Sequence, residues 1–260
     1  EYDFGADVTA TATINPGYTF AGWASNHADL VANSSSNPYS FSMPASDITL
    51  TATATANTYT LTYNSNGGTS VNSTQKVYNT AYTSAELPTI SKDGYTFVGW
   101  FATQALATSA VASSAITAGS SFNNQTATFA DISTEGTEAT IYAGWSATEY
   151  QITYDLNGGN IDGSTANIVD DYTILSNIVL RGAPNLTGYS LDCWLVTQAE
   201  GNWVQGTEYD AGETVGTGMF GDVTLEAQWT PNQYTITVED NGSGTSEIEV
   251  TFNASTPSIV

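Results

Sequence analysis

A seven-residue word recurs along this chain: Gly17-Tyr18-Thr19-Phe20-Ala21-Gly22-Trp23 returns as Gly94-Tyr95-Thr96-Phe97-Val98-Gly99-Trp100 and, more loosely, as Gly188-Tyr189-Ser190-Leu191-Asp192-Cys193-Trp194. Repetition constrains the fold more than any single residue does, because every copy must serve the same place in a unit built several times over. A second word, Tyr59-Thr60-Leu61-Thr62-Tyr63-Asn64-Ser65-Asn66-Gly67-Gly68, recurs at 150–159 and, degenerately, at 234–243. A third, Ala139-Thr140-Ile141-Tyr142-Ala143-Gly144-Trp145, matches residues 223–229, with 48–53 as a copy lacking the Trp. The order of the words predicts a unit without its beginning at 1–57, full units at 58–147 and 148–231, and the start of a further unit at 232–260. The chain therefore reads as an excerpt of a longer protein. The joints, 146–149 and 230–233, are short enough to tether neighbours closely.

Within the opening word Tyr59, Leu61 and Tyr63 alternate with Thr60 and Thr62, the two-residue period of a half-buried strand. Asn66-Gly67-Gly68 then supplies residues that tolerate the positive φ of a tight turn. The return strands are expected at about 74–82 and 166–173. Helical signal is poor: residues 106–116 are Ala-rich but uncapped, and 83–87 make one turn at most. The units are read as mainly β.

Composition removes whole classes of function. Three basic residues face 26 acidic ones, a formal charge of −23, so nucleic acid and anionic membrane surfaces are repelled. One cysteine and one histidine, Cys193 and His27, provide neither an internal disulfide nor a zinc set. No run approaches the ~18 to 20 apolar residues of a spanning helix, so no membrane insertion is expected. No cofactor or metal site is predicted.

The words at 150–159, at 87–100 and at 140–145 together resemble the B-repeat of internalin-type surface proteins, the Listeria-Bacteroides repeat. The first segment, with residues 12–18 and 37–47, resembles the divergent subfamily of that repeat. The resemblance implies small β-grasp-like, α+β modules set in an elongated tandem array, extracellular, on the cell surface or in secreted proteins of bacteria, where they serve as stalk and adhesin architecture. Two departures stand out: Asp192-Cys193-Trp194 replaces the usual small-Gly-Trp ending, and residues 101–138 form an insertion where a unit-specific role could reside.

Six Trp and fifteen Tyr suggest a carbohydrate platform, yet register argues for packing. Trp23, Trp100 and Trp194 hold one repeat position and Trp145 and Trp229 another, so these five, with Tyr95, Phe97 and Tyr189, are assigned to the structural core. Trp203 lacks a counterpart in the preceding unit and is the one candidate ligand contact, although packing is the preferred reading for it too. Oxygen-bearing residues at 155–162 invite calcium, but the spacing is not that of an EF-type loop and a hairpin turn accounts for them. No catalytic residues are assigned, because His27 and Cys193 fall in different units and no carboxylate pair recurs at a pocket signal. Lys76 and Lys92 are read as solvated rather than as sources of an isopeptide cross-link. The reading is a non-enzymatic stalk that presents another domain away from the cell and contacts mainly neighbouring repeats. The alternatives are a weak adhesive module for host protein or glycan, using Trp203 or the 101–138 insertion, and an accessory region of a secreted enzyme.

Overall fold

The computed structural model describes residues 1–30, 34–240, 242 and 244–254; Asn241 and Ser243 of the third turn, and residues 255–260 of the last segment, lie outside it. The chain divides into two compact units, residues 1–92 with 97–146 and residues 93–96 with 147–260. Strand dominates both.

In the first unit, Tyr18–Ser25 pairs with Leu50–Ala56 and Asp7–Ala10 with Tyr39–Ser42, each antiparallel. A five-stranded sheet follows, built from the opening strand Thr58–Asn64, return strand Thr74–Val77, middle strand Tyr95–Phe101, the short Thr128–Phe129 and closing strand Glu138–Ala147. Its order is return, opening, closing, middle, with Thr128–Phe129 added on the closing strand. Opening and closing strands run parallel, with Leu61 opposite Ala139 and Tyr63 opposite Ile141. The alternation has its expected result: Tyr59, Leu61, Ala139, Ile141 and Ala143 are wholly buried, while the intervening Thr60, Thr62 and Thr140 are only partly so, although the Thr62 hydroxyl is itself buried.

The second unit repeats the plan with opening strand Glu149–Asp155, return strand Ile168–Thr173, middle strand Tyr189–Ala199, an edge strand Glu208–Tyr209 and closing strand Val223–Pro231. Ile152 stands opposite Val223 and Tyr154 opposite Leu225, again parallel. An antiparallel hairpin, Gln233–Asp240 with Gly244–Thr251, ends the described chain.

The return strands are shorter than expected, ending at Val77 rather than 82 and starting at Ile168 rather than 166. Asn79 at φ 58° turns the chain out of the first ladder. The Ala-rich stretch is helical only over Gln104–Ser109, and it is capped after all: the Thr103 hydroxyl accepts Leu106 N–H and Ala110 closes the helix in the left-handed region. The 83–87 segment makes a single 3-10 turn, Ser84–Glu86.

Trp100 and Trp194 fill the two cores, at 1% and 0% exposure. Each donates its indole N–H to the carbonyl of the segment before the middle strand, Pro88 at 2.8 Å and Arg181 at 3.1 Å. Each also meets a tyrosine of its opening strand edge-on, Tyr63 at 5.2 Å and Tyr154 at 5.1 Å. The other residues assigned to the core are only half-buried. Trp145 and Trp229 lie over the glycine turns of the opening words, where a Cβ on Gly68 or Gly159 would strike the indole. Their N–H groups bond Ser65 O at 2.9 Å and Leu156 O at 3.3 Å. Trp23, in a segment whose sheet has just two strands, bonds Ser36 O at 3.0 Å. Tyr95, Phe97 and Tyr189 stand at the starts of middle strands, beyond full cover.

Burial therefore separates the two indole positions. Trp100→Ala and Trp194→Ala are expected to destabilise their units by about 3 to 5 kcal/mol in urea titrations followed by circular dichroism, and Trp145→Ala by clearly less.

Candidate functional site

Trp203 is the residue that sequence reasoning offered to a ligand, and the structure withdraws it from solvent. It is 5% exposed and belongs to the core that contains Trp194 and Tyr154. Its indole N–H donates to Tyr172 Oη at 2.7 Å, and that hydroxyl donates in turn to Gly221 O. Tyr209 covers the indole edge-on at 5.9 Å. The ligand-contact assignment of Trp203 is thus corrected to an interior polar–aromatic pair, because its N–H is already donated to Tyr172 and its ring is covered by Tyr209. Burial pushes the Tyr172 phenol up to about 12, against the lowering effect of the Trp203 N–H, so it remains a neutral donor across ordinary pH.

Tyr172 pairs with Tyr150 on the opening strand; in the first unit the residue paired with the equivalent Tyr59 is Lys76. This lysine is not solvated as expected from the sequence but 5% exposed. Its ammonium donates to Glu86 Oε2 at 2.9 Å and to Ala81 O at 2.6 Å, and it lies 5.3 Å from the Tyr82 ring. Glu86 also accepts from the Thr83 N–H and hydroxyl. Burial opposes its charge, but the Lys76 and Thr83 donors outweigh that and hold its pKa below the usual carboxylate range. The atoms that Lys76 Nζ meets are a carboxylate and a backbone carbonyl, both serving as hydrogen-bond acceptors, and the pair reads as structural. Lys92 is half-buried, donating to Asn66 O at 3.0 Å with Trp145 5.8 Å away.

The turn that invited calcium is held by bonds of the hairpin itself and to the closing strand. Asp155 Oδ1 accepts Asn157 N–H at 2.9 Å and the Asn157 amide reaches Ala227 O at 3.0 Å. Asn64, Asn66 and Ala143 make the same two bonds in the first unit, at 3.0 and 2.7 Å. Among the described residues no group of three His, Cys, Asp or Glu converges as a metal set. Cys193 is buried, and desolvation raises its thiol pKa, which disfavours the reactive thiolate. His27 lies in the first unit and Cys193 in the second, on the separate segments that the sequence indicated.

The 101–138 insertion supplies core as well as surface. Phe122 is wholly buried, 6.1 Å from the Tyr59 ring and 5.8 Å from Tyr82. The insertion also walls an open depression of about 480 Å³ with Thr103, Asn124, Thr128 and Phe129. Asp131 at its rim is bonded by Ser133 and Thr134, which lower its pKa. The Lys76–Glu86 pair was the main feature missed in the sequence; the available signal was its register opposite Tyr59 and the Thr83-x-x-Glu86 capping spacing.

The pair predicts an asymmetry. Glu86→Gln leaves a buried ammonium without its counter-ion and is expected to cost about 2 to 4 kcal/mol, whereas Lys76→Met together with Glu86→Gln should recover most of that loss. Because the Glu86 pKa is depressed in the folded chain, its stabilisation is present above the unfolded carboxylate pKa and is lost as pH falls through the folded one. Acid titration of stability should show this loss in the native chain and not in Glu86→Gln.

Comparison with known proteins agrees with this layout. The profile of the Listeria-Bacteroides repeat domain matches residues 59–123 and 150–228, and that of the divergent InlB B-repeat domain matches 1–58. Two proteins of Evansella cellulosilytica are similar: one provisionally named a Gly-rich membrane protein, 28% identical over 92% of this chain and 24% of its own length, and one provisionally named a membrane protein, 25% identical over 89% and 31%. The chain spans about a quarter to a third of the length of these relatives. No solved structure matches it. Repeats of this kind occur in surface proteins, and no helix among the described residues is long and apolar enough to cross a membrane. By its matched repeats, which cover more than half of its length, the chain belongs to the Listeria-Bacteroides repeat family.

Proposed function

We propose that this region is a stalk of a bacterial cell-surface or secreted protein, a non-enzymatic series of β modules that carries another domain away from the cell. The observation that carries the reading is that the residues repeated between units occupy equivalent structural positions: indoles on interior carbonyls, asparagines on the turns, glycines beneath indoles. What recurs builds the module, and of the polar interior that differs, Lys76–Glu86 against Tyr172–Trp203, Lys76, Tyr172 and Trp203 are buried. A β-grasp-like description is supported by the return-opening-closing-middle order and the central parallel pair. We take the repeat boundaries as 57/58, 147/148 and 231/232.

Short joints and a formal charge of −23 favour an elongated tandem array over modules collapsed on one another. Small-angle scattering is expected to give a maximum dimension well above that of a compact globule of the same length. A globular profile in low and moderate salt would remove the stalk reading. The region is also expected to show no saturable glycan binding and no calcium-specific rise in melting temperature; an array signal lost on deleting the 101–138 insertion, with the fold retained, would favour adhesion instead.

A further inference from the structure

One repeated word is left without a role in the core, Gly-Tyr-Thr/Ser. Its three glycines, Gly17, Gly94 and Gly188, all have positive φ, 89°, 76° and 82°. The carbonyl of each accepts the N–H of the residue at or just before the next opening strand: Asn57 at 2.9 Å, Thr148 at 3.0 Å and Asn232 at 2.9 Å. Two residues past the glycine, a hydroxyl meets the side chain of that same residue. The distances are 2.6 Å for Thr19 to Asn57, 2.8 Å for Thr96 to Thr148 and 2.6 Å for Ser190 to Asn232.

The open face of each glycine is covered by one residue of the following return segment, Tyr78, Ile174 or Phe252, so closely that a Cβ would overlap it. These three hold one repeat position, two beyond the residue paired with the opening-strand tyrosine, at Lys76, Tyr172 and Val250. In the first and third cases the covering ring also stands edge-on to the tyrosine of the word, Tyr18 to Tyr78 and Tyr189 to Phe252, each at 5.4 Å. The next asparagine then bonds that tyrosine hydroxyl, Asn79 at 3.3 Å and Asn253 at 3.2 Å. Each set of contacts lies within one compact unit: the first in residues 1–92, the other two in 93–96 with 147–260.

We propose that Gly-Tyr-Thr/Ser is a docking site for the opening hairpin of the following repeat. It selects its occupant by an Asn or Thr ahead of the opening strand and a large apolar side chain on the return segment. The last hairpin makes the case sharpest. Gln233–Asp240 with Gly244–Thr251 pairs with no closing strand among the described residues, and Tyr234 and Ile236 are 49% and 38% exposed. A two-stranded hairpin is marginal by itself in water, so its order depends on what it docks against. Docking of this kind couples the stability of neighbours in sequence, as in other repeat arrays. Its use as a joint under load rests on the stalk reading; the docking does not.

Native-state hydrogen exchange of the whole chain tests the site. In the native protein the amides of Ile236 and Val238, which face the return strand of the hairpin, should be protected. Gly188→Ala, which adds a methyl group where Phe252 lies, and Phe252→Ala, which removes the cover and leaves Gly188 intact, should each accelerate them on the order of tenfold. The parallel strands, 152–155 and 223–226, should keep their native rates in Phe252→Ala even if Gly188→Ala disturbs them. Gly182→Ala, at a glycine with open space around it, should change nothing. Hairpin amides that exchange at native rates in both Gly188→Ala and Phe252→Ala, or that are unprotected in the native chain, would overturn the proposal. A compact scattering profile with the exchange result intact would remove the stalk and leave the docking site.

Discussion

The first and last strands of each full repeat lie side by side and run in the same direction, and the rest of the module follows from that contact. Parallel neighbours cannot be joined by a tight turn, so the chain between them must leave the sheet edge and return. It does so through the return strand on one side and the middle strand on the other, which leaves the parallel pair central. Centrality explains the residues: Leu61, Ile141, Ile152 and Leu225 are almost wholly buried, and the middle-strand indoles pack among them. The closing-strand indoles, Trp145 and Trp229, reach across the same pair to cover the turns of the opening words.

Given that frame, the interior position opposite the first tyrosine of the opening strand accepts two unlike solutions. Lys76 fills it with a cation neutralised by Glu86, and Tyr172 fills it with a phenol that joins Trp203 to Gly221. Each satisfies its buried polar atoms, the condition that a small core imposes. Such a position drifts between repeats without changing the backbone. It therefore shows as a unit-specific residue without marking a ligand site.

Much of this was legible because repetition let the words annotate one another. Strand alternation in 59–63, the Asn-Gly turns and the interior role of Trp100 and Trp194 all followed from shared spacing. What escaped was pairwise. The sequence contains no statement that Lys76 faces inward, since a lysine in a short strand beside Gln75 looks solvated until Glu86 is brought beside it by the Ser84–Glu86 turn. Trp203 looked isolated because its partner, Tyr172, occupies the register place of a lysine in the other unit. The half-buried indoles Trp145 and Trp229 looked like core because sequence reports size and apolarity, whereas exposure depends on strand ends and turns.

The central claim, that the parallel opening–closing pair organises each repeat, is tested most directly by residue-resolved hydrogen exchange across both five-stranded sheets under conditions near native. The account predicts the slowest exchange at 60–63 with 139–142 and at 152–155 with 223–226, and faster exchange at the return strands 74–77 and 168–173. Closing strands that exchange as fast as, or faster than, the return strands would contradict it.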